Sequence, residues 1–286
     1  MRIESLNVIT GANGFIGSHL RTSLLASSGE VLLCRRDGTF TYLSRTKEVS
    51  YRNLRIALSE LNREKFSLFH CATKFERSNS SGSVESLLEG NFRFPFNLVK
   101  DFLNFGDLHL VNLNSYWQAL GGSPGKAYSN YATTKNLFLF NLEEILSLDK
   151  ISNFFLFDTY GPEDYRDKLI PTLLSNLGSD KVLRLSNPNK AMNLSFVSDI
   201  VDALIFAGVN EKSGYFDIRH PLVYKLGEIV GIIEDVFGAK VRVEWESIEK
   251  LELQTYKMEF ASTPDFWNPS IGLKEGIRFL HAKLSS

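Results

Sequence analysis

The first half of the chain alternates short apolar runs with longer amphipathic stretches. The apolar runs predict strands at residues 5–10, 31–34, 66–71, 108–113 and 151–157. The stretches between them predict helices at residues 15–26 and 54–61, within residues 84–105, and from about residue 127 to 146. Strands and helices that alternate in this way form a parallel sheet covered on both faces. The pattern therefore predicts an α/β fold with a doubly wound parallel sheet of the Rossmann type.

The alternation becomes less regular after residue 161. Helices are predicted near residues 169–177, 199–209 and 226–237, and short strands at residues 214–218 and 241–245. We therefore expect a Rossmann domain over residues 1–161 and a smaller C-terminal lobe over residues 162–286. Parts of the lobe are expected to return to the main sheet, so that the two are partly interleaved.

Composition and charge exclude several classes of protein. Hydrophobic residues make up 43% of the 286 residues and the net charge is −1, which gives no basic field for nucleic acid. No apolar stretch reaches the roughly 18 residues of a membrane-spanning helix, and residues 1–10 lack the apolar core of a signal peptide. Cys34 and Cys71 form no CxxC pair, so no metal site is expected. We expect a soluble, cytoplasmic protein with no nucleic-acid or membrane partner.

Glycines cluster directly after the first predicted strand, in the string Thr-Gly-Ala-Asn-Gly-Phe-Ile-Gly. Gly11 permits a tight turn, Gly14 lets the backbone approach a pyrophosphate, and Gly17 allows close packing of helix on strand. The N-terminus of the following helix then offers free N–H groups to the phosphates. An ordinary turn also uses glycine, but the position between strand and helix favours a dinucleotide site. Its expected residues are Gly11, Asn13, Gly14, Phe15, Ile16 and Gly17.

Two arginines follow the second strand, at the position where folds of this type bind the adenosine ribose of a dinucleotide. The planar guanidinium groups of Arg35 and Arg36 suit a 2′-phosphate, whereas an acidic residue there accepts hydrogen bonds from the free 2′-hydroxyl of NAD. The pair therefore favours NADP(H) as the cofactor. NAD(H) stays open, because Asp37 would reach the ribose if the strand ended later. Arginines can also be exposed to solvent at the end of a strand without binding a ligand.

Tyr131 and Lys135 are one helical turn apart, on one face of a predicted helix. An ammonium group near a phenol favours the phenolate, which helps a tyrosine to exchange protons at neutral pH. Lys135 can also hold the nicotinamide ribose, so Tyr131 and Lys135 are expected at the cofactor as well. Ser115 follows the strand at 108–113 and is expected to hydrogen-bond a substrate carbonyl or alcohol oxygen. Such a Tyr-x-x-x-Lys pair also arises by chance on exposed helices. Its single occurrence, after a strand that ends in serine, favours catalysis.

The strand at 66–71 brings further residues to the same edge of the sheet. Ala72 and Thr73 follow its tip and are expected to line the cofactor groove. His70 lies at its end and is more consistent with a core histidine than with a catalytic one.

The string TGANGFIG resembles the glycine loop of the extended short-chain dehydrogenases, the NAD-dependent nucleotide-sugar epimerases, dehydratases and reductases. Further landmarks follow in that family's order over nearly the whole chain: His-Cys-Ala-Thr at 70–73, Asn91, Ser115, Tyr-Ala-Thr-Thr-Lys at 131–135, Thr-Tyr-Gly-Pro at 159–162 and Phe-Val-Ser-Asp at 196–199. The resemblance implies an NAD(P)-dependent oxidoreductase whose first domain binds NADP and whose lobe binds a nucleotide sugar. It also implies that Asn91 braces the backbone near the catalytic helix, although asparagine also caps ordinary turns.

The residues that follow Ser115 narrow the reaction that the resemblance implies. Dehydratases of this family carry an acid pair there, but here Tyr116, Trp117 and Gln118 follow. The strings at 115–118, 131–135, 158–162 and 166–171 resemble the branch that reduces CDP-linked 4-keto-3,6-dideoxyhexoses, as in abequose and paratose synthesis for O-antigen. We therefore expect an NADPH-dependent reductase of a 4-keto-6-deoxy or 4-keto-3,6-dideoxy hexose, with Trp117 at the substrate.

The substrate lobe departs from the family's pattern at two positions. Asp158 stands where an asparagine usually contacts substrate through its amide, and Met192 stands where a basic residue is common. Four basic residues are therefore candidates to bind the substrate's diphosphate: Lys168, Lys190, Arg219 and Arg242. Two other functions also stay open: an NAD-dependent nucleotide-sugar 4-epimerase and a non-catalytic NADP-binding sensor or scaffold. The chain is compatible with a homodimer.

Overall fold

The computed structural model describes residues 5–76, 81–119, 129–246 and 261–284. Its strands are β1 (Leu6–Thr10), β2 (Glu30–Cys34), β3 (Phe40–Ser44), β4 (Glu48–Tyr51), β5 (Lys65–His70), β6 (Asp107–Ser115), β7 (Ile151–Leu156), β8 (Asp158–Tyr160), β9 (Leu183–Leu185), β10 (Ala191–Met192), β11 (Leu194–Phe196), β12 (Gly214–Ile218), β13 (Tyr224–Lys225) and β14 (Val243–Trp245). Its α-helices are α1 (Phe15–Ser27), α2 (Leu54–Leu61), α3 (Ser81–Leu88), α4 (Phe94–Leu103), α5 (Asn130–Leu142), α6 (Leu169–Ser175), α7 (Val197–Val209), α8 (Leu226–Phe237) and α9 (Leu273–Leu284). Residues 127 and 128 of the helix predicted at 127–146 lie outside the described residues.

The described chain forms two compact units. The first comprises the described residues of Met1–Leu156, Val201–Asp217 and Met258–Phe266. The second comprises those of Phe157–Ile200, Ile218–Lys257 and Trp267–Ser286. Whereas the sequence placed the main boundary at residues 161–162, the chain leaves the first unit after residue 156 and returns to it at residue 201.

The first unit is built on a sheet of eight strands in the order β12-β7-β6-β5-β1-β2-β3-β4. The neighbours from β7 through to β2 are parallel. Because β1 lies between β5 and β2, the strand order reverses beside it, and sheets of this kind bind dinucleotides beyond the carboxyl end of the strand at such a point. The predicted doubly wound α/β fold is confirmed.

One edge of the sheet differs from the all-parallel prediction, because β3 and β4 continue it in antiparallel direction. A tight turn joins β2 to β3, in which the amide of Arg35 donates to the carbonyl of Thr39 (2.9 Å) and Gly38 has φ +81°. These strands are only four or five residues long, and such short segments give a weak local signal. Burial of Phe40 and Tyr42 against the sheet stabilises them instead.

Helices cover both faces of this sheet. On one face α2, α4 and α5 contribute Leu58, Phe102 and Phe138 to a cluster with the sheet's own apolar side chains. On the other face α7 approaches so closely that a Cβ on Gly208 would lie 2.4 Å from the ring of Phe69. The sheet is therefore buried on both sides, as the apolar runs require.

The single helix predicted within residues 84–105 is in fact two helices, α3 and α4, joined by a π-helical turn at Glu89–Arg93. Pro95, in the first turn of α4, has no amide with which to continue a regular helical ladder. Turns of this type are frequent at functional sites, and this one contains Asn91.

The second unit has its own apolar core, to which Leu173, Phe196, Ile233 and Ile277 belong. Strands β8 and β11 pair in parallel, with Asp158 opposite Leu194. Helix α9 was not predicted from the sequence. No helix among the described residues is both long and apolar enough to cross a bilayer.

Candidate active site

The glycine loop joins β1 to α1 by a turn that demands glycine at two positions. Gly11 has φ +69°, and a Cβ on it would lie 2.6 Å from the backbone nitrogen of Ala72. A Cβ on Gly17 would lie 2.1 Å from the carbonyl oxygen of Gly11. The amide of Gly14 donates to that same carbonyl (2.9 Å). Side chains are thus kept out of the space between loop, strand tip and helix.

The N-terminus of α1 is suited to a phosphate group. Gly14 is its N-cap, no side chain caps it, and its first turn carries no acidic residue. Asn13 and Gly14 are exposed, Ile16 is half-buried and Phe15 is buried. Free amides at a helix N-terminus carry about half a unit of positive charge. The loop therefore fits the pyrophosphate of a dinucleotide.

Arg35 and Arg36 are exposed directly after β2. A Cβ on Gly90 would lie 3.7 Å from a guanidinium nitrogen of Arg36 and 2.9 Å from Cβ of Lys74, so Arg36 and Lys74 meet at this glycine. Asp37 instead accepts hydrogen bonds from the amide (2.9 Å) and hydroxyl (2.6 Å) of Thr39, and these bonds lower the pKa of its carboxyl group. The carboxylate that would serve NAD is engaged in the β2–β3 turn.

Tyr131 lies at the start of α5, which is capped by the Ser129 hydroxyl accepting from the amide of Ala132 (3.2 Å). Burial raises the pKa of Tyr131, and hydrogen bonding to the side chains of Thr73 and Ser115 only partly offsets this effect. The phenol is therefore protonated at neutral pH and is positioned beside Ser115, as a proton donor needs to be.

Lys135 lies one turn further along α5 and is 4% exposed. Burial lowers the pKa of Lys135 to about 8. His70 is also buried, which lowers its pKa to about 3, and its Nδ1 is bonded to the hydroxyl of Thr10 (2.8 Å). Its ring packs edge-on against Phe138. His70 is therefore neutral and part of the core, whereas Lys135 can carry a proton at neutral pH.

Asn91 connects the loop after β5 to the catalytic helix. Its Oδ1 accepts from the amide of Lys74 (2.7 Å) and the hydroxyl of Thr73 (3.2 Å). Its Nδ2 donates to the carbonyl of Lys74 (2.9 Å) and to the hydroxyl of Thr134 on α5 (3.1 Å). The loop is anchored to β1 as well, because the amide of Ala72 donates to the Thr10 hydroxyl (3.1 Å). The loop that carries Thr73 is thereby fixed against Tyr131.

Ser115 is the last residue of β6, whereas the sequence placed it beyond a shorter strand. A 3₁₀ turn, Tyr116–Gln118, follows it. The Gln118 side chain accepts from the amide of Ser115 (2.9 Å) and donates to Oδ1 of Asn136 on α5 (3.0 Å), and Nδ2 of Asn136 donates back to the carbonyl of Gln118 (3.4 Å). Sequence reasoning missed Gln118, although Ser-x-x-Gln is the signature of a capping box.

Sequence reasoning also missed Phe75, which lies three residues after Ala72. Its ring is edge-on to Tyr131, with centroids 5.2 Å apart, and edge-on to Trp117 at 5.5 Å. Trp117 is half-buried and itself edge-on to Tyr131 at 6.2 Å. No local pattern could identify Phe75, because its neighbours here come from two other segments.

A separate polar group lies in the second unit around Asp158. Burial raises the pKa of the Asp158 carboxyl, and the positive charges of Lys168, Lys190 and Arg166 oppose that rise. Arg166 also donates to the carbonyl of Thr159 (2.8 Å) and pairs with Asp164 (2.6 Å). Arg166 was not among the predicted diphosphate candidates, although it begins the string at 166–171.

The other two basic candidates, Arg219 and Arg242, make different contacts within the second unit. Arg242 forms an ion pair with Asp180 (2.8 Å) between exposed side chains. The backbone carbonyl of Arg219 accepts from Nε1 of Trp267 (3.2 Å). The charges that act on Asp158 in the described structure include neither of these arginines.

Comparison with known proteins identifies the class to which this fold and site belong. The model of the NAD dependent epimerase/dehydratase family matches residues 7–218. The chain therefore belongs to this family and is an NAD(P)-dependent enzyme. Both the family and the enzyme class predicted from the sequence are confirmed.

Three individual proteins show how far the similarity extends. A CDP-abequose synthase from Yersinia pseudotuberculosis is 26% identical over 80% of this chain and 83% of its own length. A CDP-abequose synthase from Salmonella typhimurium is 23% identical, over 97% of each chain. The structure of a UDP-glucose 4-epimerase from Thermus thermophilus in complex with NAD superposes with a TM-score of 0.71 at 18% identity, covering 98% of each chain, which indicates a shared fold.

Proposed function

We propose that this enzyme is an NADPH-dependent reductase of a 4-keto-6-deoxy or 4-keto-3,6-dideoxy hexose carried on a nucleoside diphosphate. The observation that carries the proposal is its likeness to two CDP-abequose synthases over 80% and 97% of the chain. Two features of the site agree with it. The residues that follow Ser115 are Tyr116, Trp117 and Gln118, so the acid pair of a dehydratase is absent there. The proton donor Tyr131 is present and buried.

The residues of the first unit supply the proton and the geometry of the reduction. When bound, NADPH supplies the hydride that the carbonyl carbon of the sugar accepts. Tyr131 donates its phenolic proton to the carbonyl oxygen as that oxygen gains charge, and Ser115 hydrogen-bonds the same oxygen. Lys135 lies on the same face of α5, and its positive charge stabilises the phenolate that remains on Tyr131. Positioning of substrate and proton donor accounts for much of the rate enhancement.

The cofactor preference rests on the residues beyond β2. The guanidinium group of Arg36 lies near Gly90, so a planar cation is available to a phosphate group beyond β2. Oδ1 of Asp37 accepts two hydrogen bonds from Thr39, which hold this carboxylate in the β2–β3 turn. We therefore infer that NADP(H) is preferred over NAD(H). Use of NADPH fits a reductase, because such an enzyme consumes one reduced cofactor in every turnover.

The second unit is proposed to hold the nucleotide diphosphate. The positive charges of Lys168 and Lys190 both act on the carboxyl of Asp158, which makes them the favoured pair among the four basic candidates. Arg242 is the least favoured, because its side chain is already paired with Asp180. Lys168→Ala and Lys190→Ala should each weaken binding of the nucleotide sugar, and the extent of this loss should depend on the salt concentration. Arg242→Ala should leave this affinity unchanged.

The proposed reaction is tested by generating the 4-keto sugar with a separate dehydratase, adding this enzyme, and following NADPH absorbance. We expect one NADPH to be consumed for each reduced sugar formed. Interconversion of 4-epimers without net loss of NADPH, from protein that purifies with bound NAD, would assign the chain to the 4-epimerases instead. No activity on CDP-, dTDP-, UDP- or GDP-linked sugars, with NADPH still bound, would leave the sensor or scaffold function.

A further inference from the structure

A row of polar side chains crosses the sheet of the first unit beneath α5. Thr10, His70, Asn112 and Asn153 are direct neighbours on β1, β5, β6 and β7, so their side chains point to one face of the sheet. The ring of His70 packs on Phe138 of α5, which shows that this is the face that α5 covers. Each of the four polar residues is at most 2% exposed. We call these four residues the polar row.

Hydrogen bonds at one end of the polar row assign the tautomer of His70. The Thr10 hydroxyl accepts from the amide of Ala72 (3.1 Å) and lies 2.8 Å from Nδ1 of His70. The buried proton of this hydroxyl needs an acceptor, and Nδ1 is the one that the described hydrogen bonds offer. His70 is neutral, because burial lowers its pKa to about 3. Its other ring nitrogen, Nε2, therefore carries the proton and is a donor.

The middle of the polar row contains a spare donor and a spare acceptor on neighbouring strands. Nδ2 of Asn112 donates to Oδ1 of Asn153 (3.0 Å), which leaves Oδ1 of Asn112 as an acceptor. Within the described part of the chain, neither this oxygen nor Nε2 of His70 has a hydrogen-bond partner, and both atoms are buried. Buried polar atoms are nearly always paired, and internal water commonly pairs them. One water that accepts from His70 and donates to Asn112 satisfies both atoms.

Lys135 lies next to this pair on the inner face of α5. It precedes Phe138 by one turn, and its positive charge contributes to the lowered pKa of His70. The titratable groups around it are uncharged at neutral pH: His70, Cys71 with a pKa raised to about 12 by burial, and Tyr131 on its own helix. The side chains of the polar row on β6 and β7 are amides. No carboxylate is among these described neighbours, so neutral acceptors have to stabilise the ammonium group.

We propose that His70 and Asn112 hold an internal water molecule and that this water accepts a hydrogen bond from the ammonium group of Lys135. The water uses its two lone pairs for Nε2–H of His70 and for the ammonium, and it gives one proton to Oδ1 of Asn112. Its dipole then favours the charged form of Lys135. His70 and Asn112 are thus positioning residues. The water site stands apart from the proposed function, and only its effect on turnover rests on that function.

Crystallography that resolves ordered water, together with NMR, tests the site directly. We expect a water within hydrogen-bond distance of both Nε2 of His70 and Oδ1 of Asn112. The 15N chemical shifts of the His70 ring should show a proton on Nε2 and none on Nδ1. A proton on Nδ1, or a direct bond from Nε2 to Asn112 with no water between them, would overturn the proposal.

Two substitutions of His70 test the action of the water on Lys135. The amide nitrogen of glutamine reaches the position of histidine Nε2, whereas the side chain of asparagine reaches only as far as Nδ1. The titration of Lys135 is followed by NMR of protein with 13C-labelled lysine, and its signal is assigned by its loss in Lys135→Arg. His70→Gln should keep the wild-type titration. His70→Asn should lower the pKa of Lys135 by at least about 1, as expected for loss of a hydrogen bond to a charged group.

Two asparagines on β6 provide a second matched pair. Asn112→Leu and Asn114→Leu each remove one hydrogen bond to Oδ1 of Asn153, at 3.0 and 3.1 Å, and should cost similar stability. Only Asn112→Leu also removes the acceptor of the water, so only this variant should lower the pKa of Lys135. Equal titrations of Lys135 in the two variants would reduce Asn112 to a packing role and overturn the proposal.

Turnover separates failure of this inference from failure of the proposed function. In a reductase, the fall of kcat/KM with rising pH should move to lower pH in His70→Asn and Asn112→Leu, by the same amount as the titration of Lys135. A shifted titration in protein that reduces no 4-keto sugar would overturn the proposed function and support the water site. Reduction of the sugar with a wild-type pH profile and a wild-type titration of Lys135 in both variants would overturn the water site and leave the reductase assignment in place.

Discussion

At the scale of single residues, burial gives Tyr131 and Lys135 opposite pKa shifts that suit their proposed roles. It raises the pKa of the phenol, which keeps the proton on Tyr131, and lowers the pKa of Lys135 to about 8. The spacing of the pair, together with its position after a strand that ends in serine, singled it out in the sequence. It could not give the direction of either shift, because both arise from tertiary burial.

The first test at this scale removes the proton. Tyr131→Phe keeps the ring, and with it the contacts to Phe75 and Trp117, but has no hydroxyl to donate. We expect kcat to fall by about 10²- to 10⁴-fold while the Kd of NADPH stays within a few-fold of wild type. Turnover close to wild type in this variant would exclude Tyr131 from the mechanism.

The pH dependence of the reduction should report Lys135. Lys135 is positively charged below pH 8 and neutral above it, so kcat/KM should fall as the pH rises through about 8. Tyr131 has a raised pKa and remains protonated through this range, so it does not cause the fall. Lys135→Arg retains its charge at all these pH values and should move the fall to higher pH, even if its maximal rate is lower. An unchanged pH profile in Lys135→Arg would contradict this assignment.

Cofactor preference is tested at the two arginines after β2. Calorimetry should show tighter binding of NADPH than of NADH to wild type. Arg35→Ala/Arg36→Ala should weaken NADPH binding by about 10- to 100-fold, as expected for loss of charged hydrogen bonds, and leave NADH nearly unaffected. Arg242→Ala, whose side chain pairs with Asp180, is the matched control. Equal affinities of wild type for the two cofactors would refute the preference.

At the scale of elements, the active site depends on hydrogen bonds between segments distant in sequence. Gln118 and Asn136 join the turn after β6 to α5, and Asn91 joins α5 to the loop after β5. Ser115 and Tyr131 are therefore held at a fixed separation by hydrogen bonds between other residues of these segments. We regard Gln118 and Asn136 as positioning residues.

Two asparagines on α5 allow this positioning role to be tested. Asn136→Ala breaks both bonds to Gln118 and should lower kcat by about 10- to 100-fold with little change in the Kd of NADPH, because small displacements of reacting groups are costly. Asn141→Ala removes only a bond to the carbonyl of Leu137 on its own helix and should leave kcat unchanged. Equal effects of the two substitutions on kcat would indicate a general loss of helix stability.

The elements that the sequence predicted well are those with a strong apolar period. The segments predicted as part of a helix at 54–61, as a helix near 226–237 and as a strand at 214–218 coincide with α2, α8 and β12. Helix α9 escaped prediction partly because Gly276 interrupts its pattern. That glycine is required by tertiary packing, since a Cβ there would lie 2.2 Å from the hydroxyl oxygen of Tyr160. Local propensity and long-range packing therefore conflict at this position.

At the scale of the whole molecule, the sequence predicted the doubly wound sheet and a partly interleaved C-terminal lobe, but not which segments of the lobe return to the first unit. The segment at 201–217 returns to the first unit and contributes β12 to the edge of the sheet beyond β7. Alternation of strands and helices indicates which elements exist and that they are parallel. It does not indicate which unit a late strand joins, because that depends on packing against residues far away in sequence.

The proposed function makes its most direct prediction about the fate of the hydride. The enzyme should be given the 4-keto sugar with NADPH that carries deuterium in both positions at carbon 4 of the nicotinamide, and the product should be analysed by mass spectrometry and NMR. We predict one deuterium at carbon 4 of the sugar for each NADPH oxidised. A sugar product without deuterium, formed while the NADPH concentration stays constant, would contradict the reductase assignment.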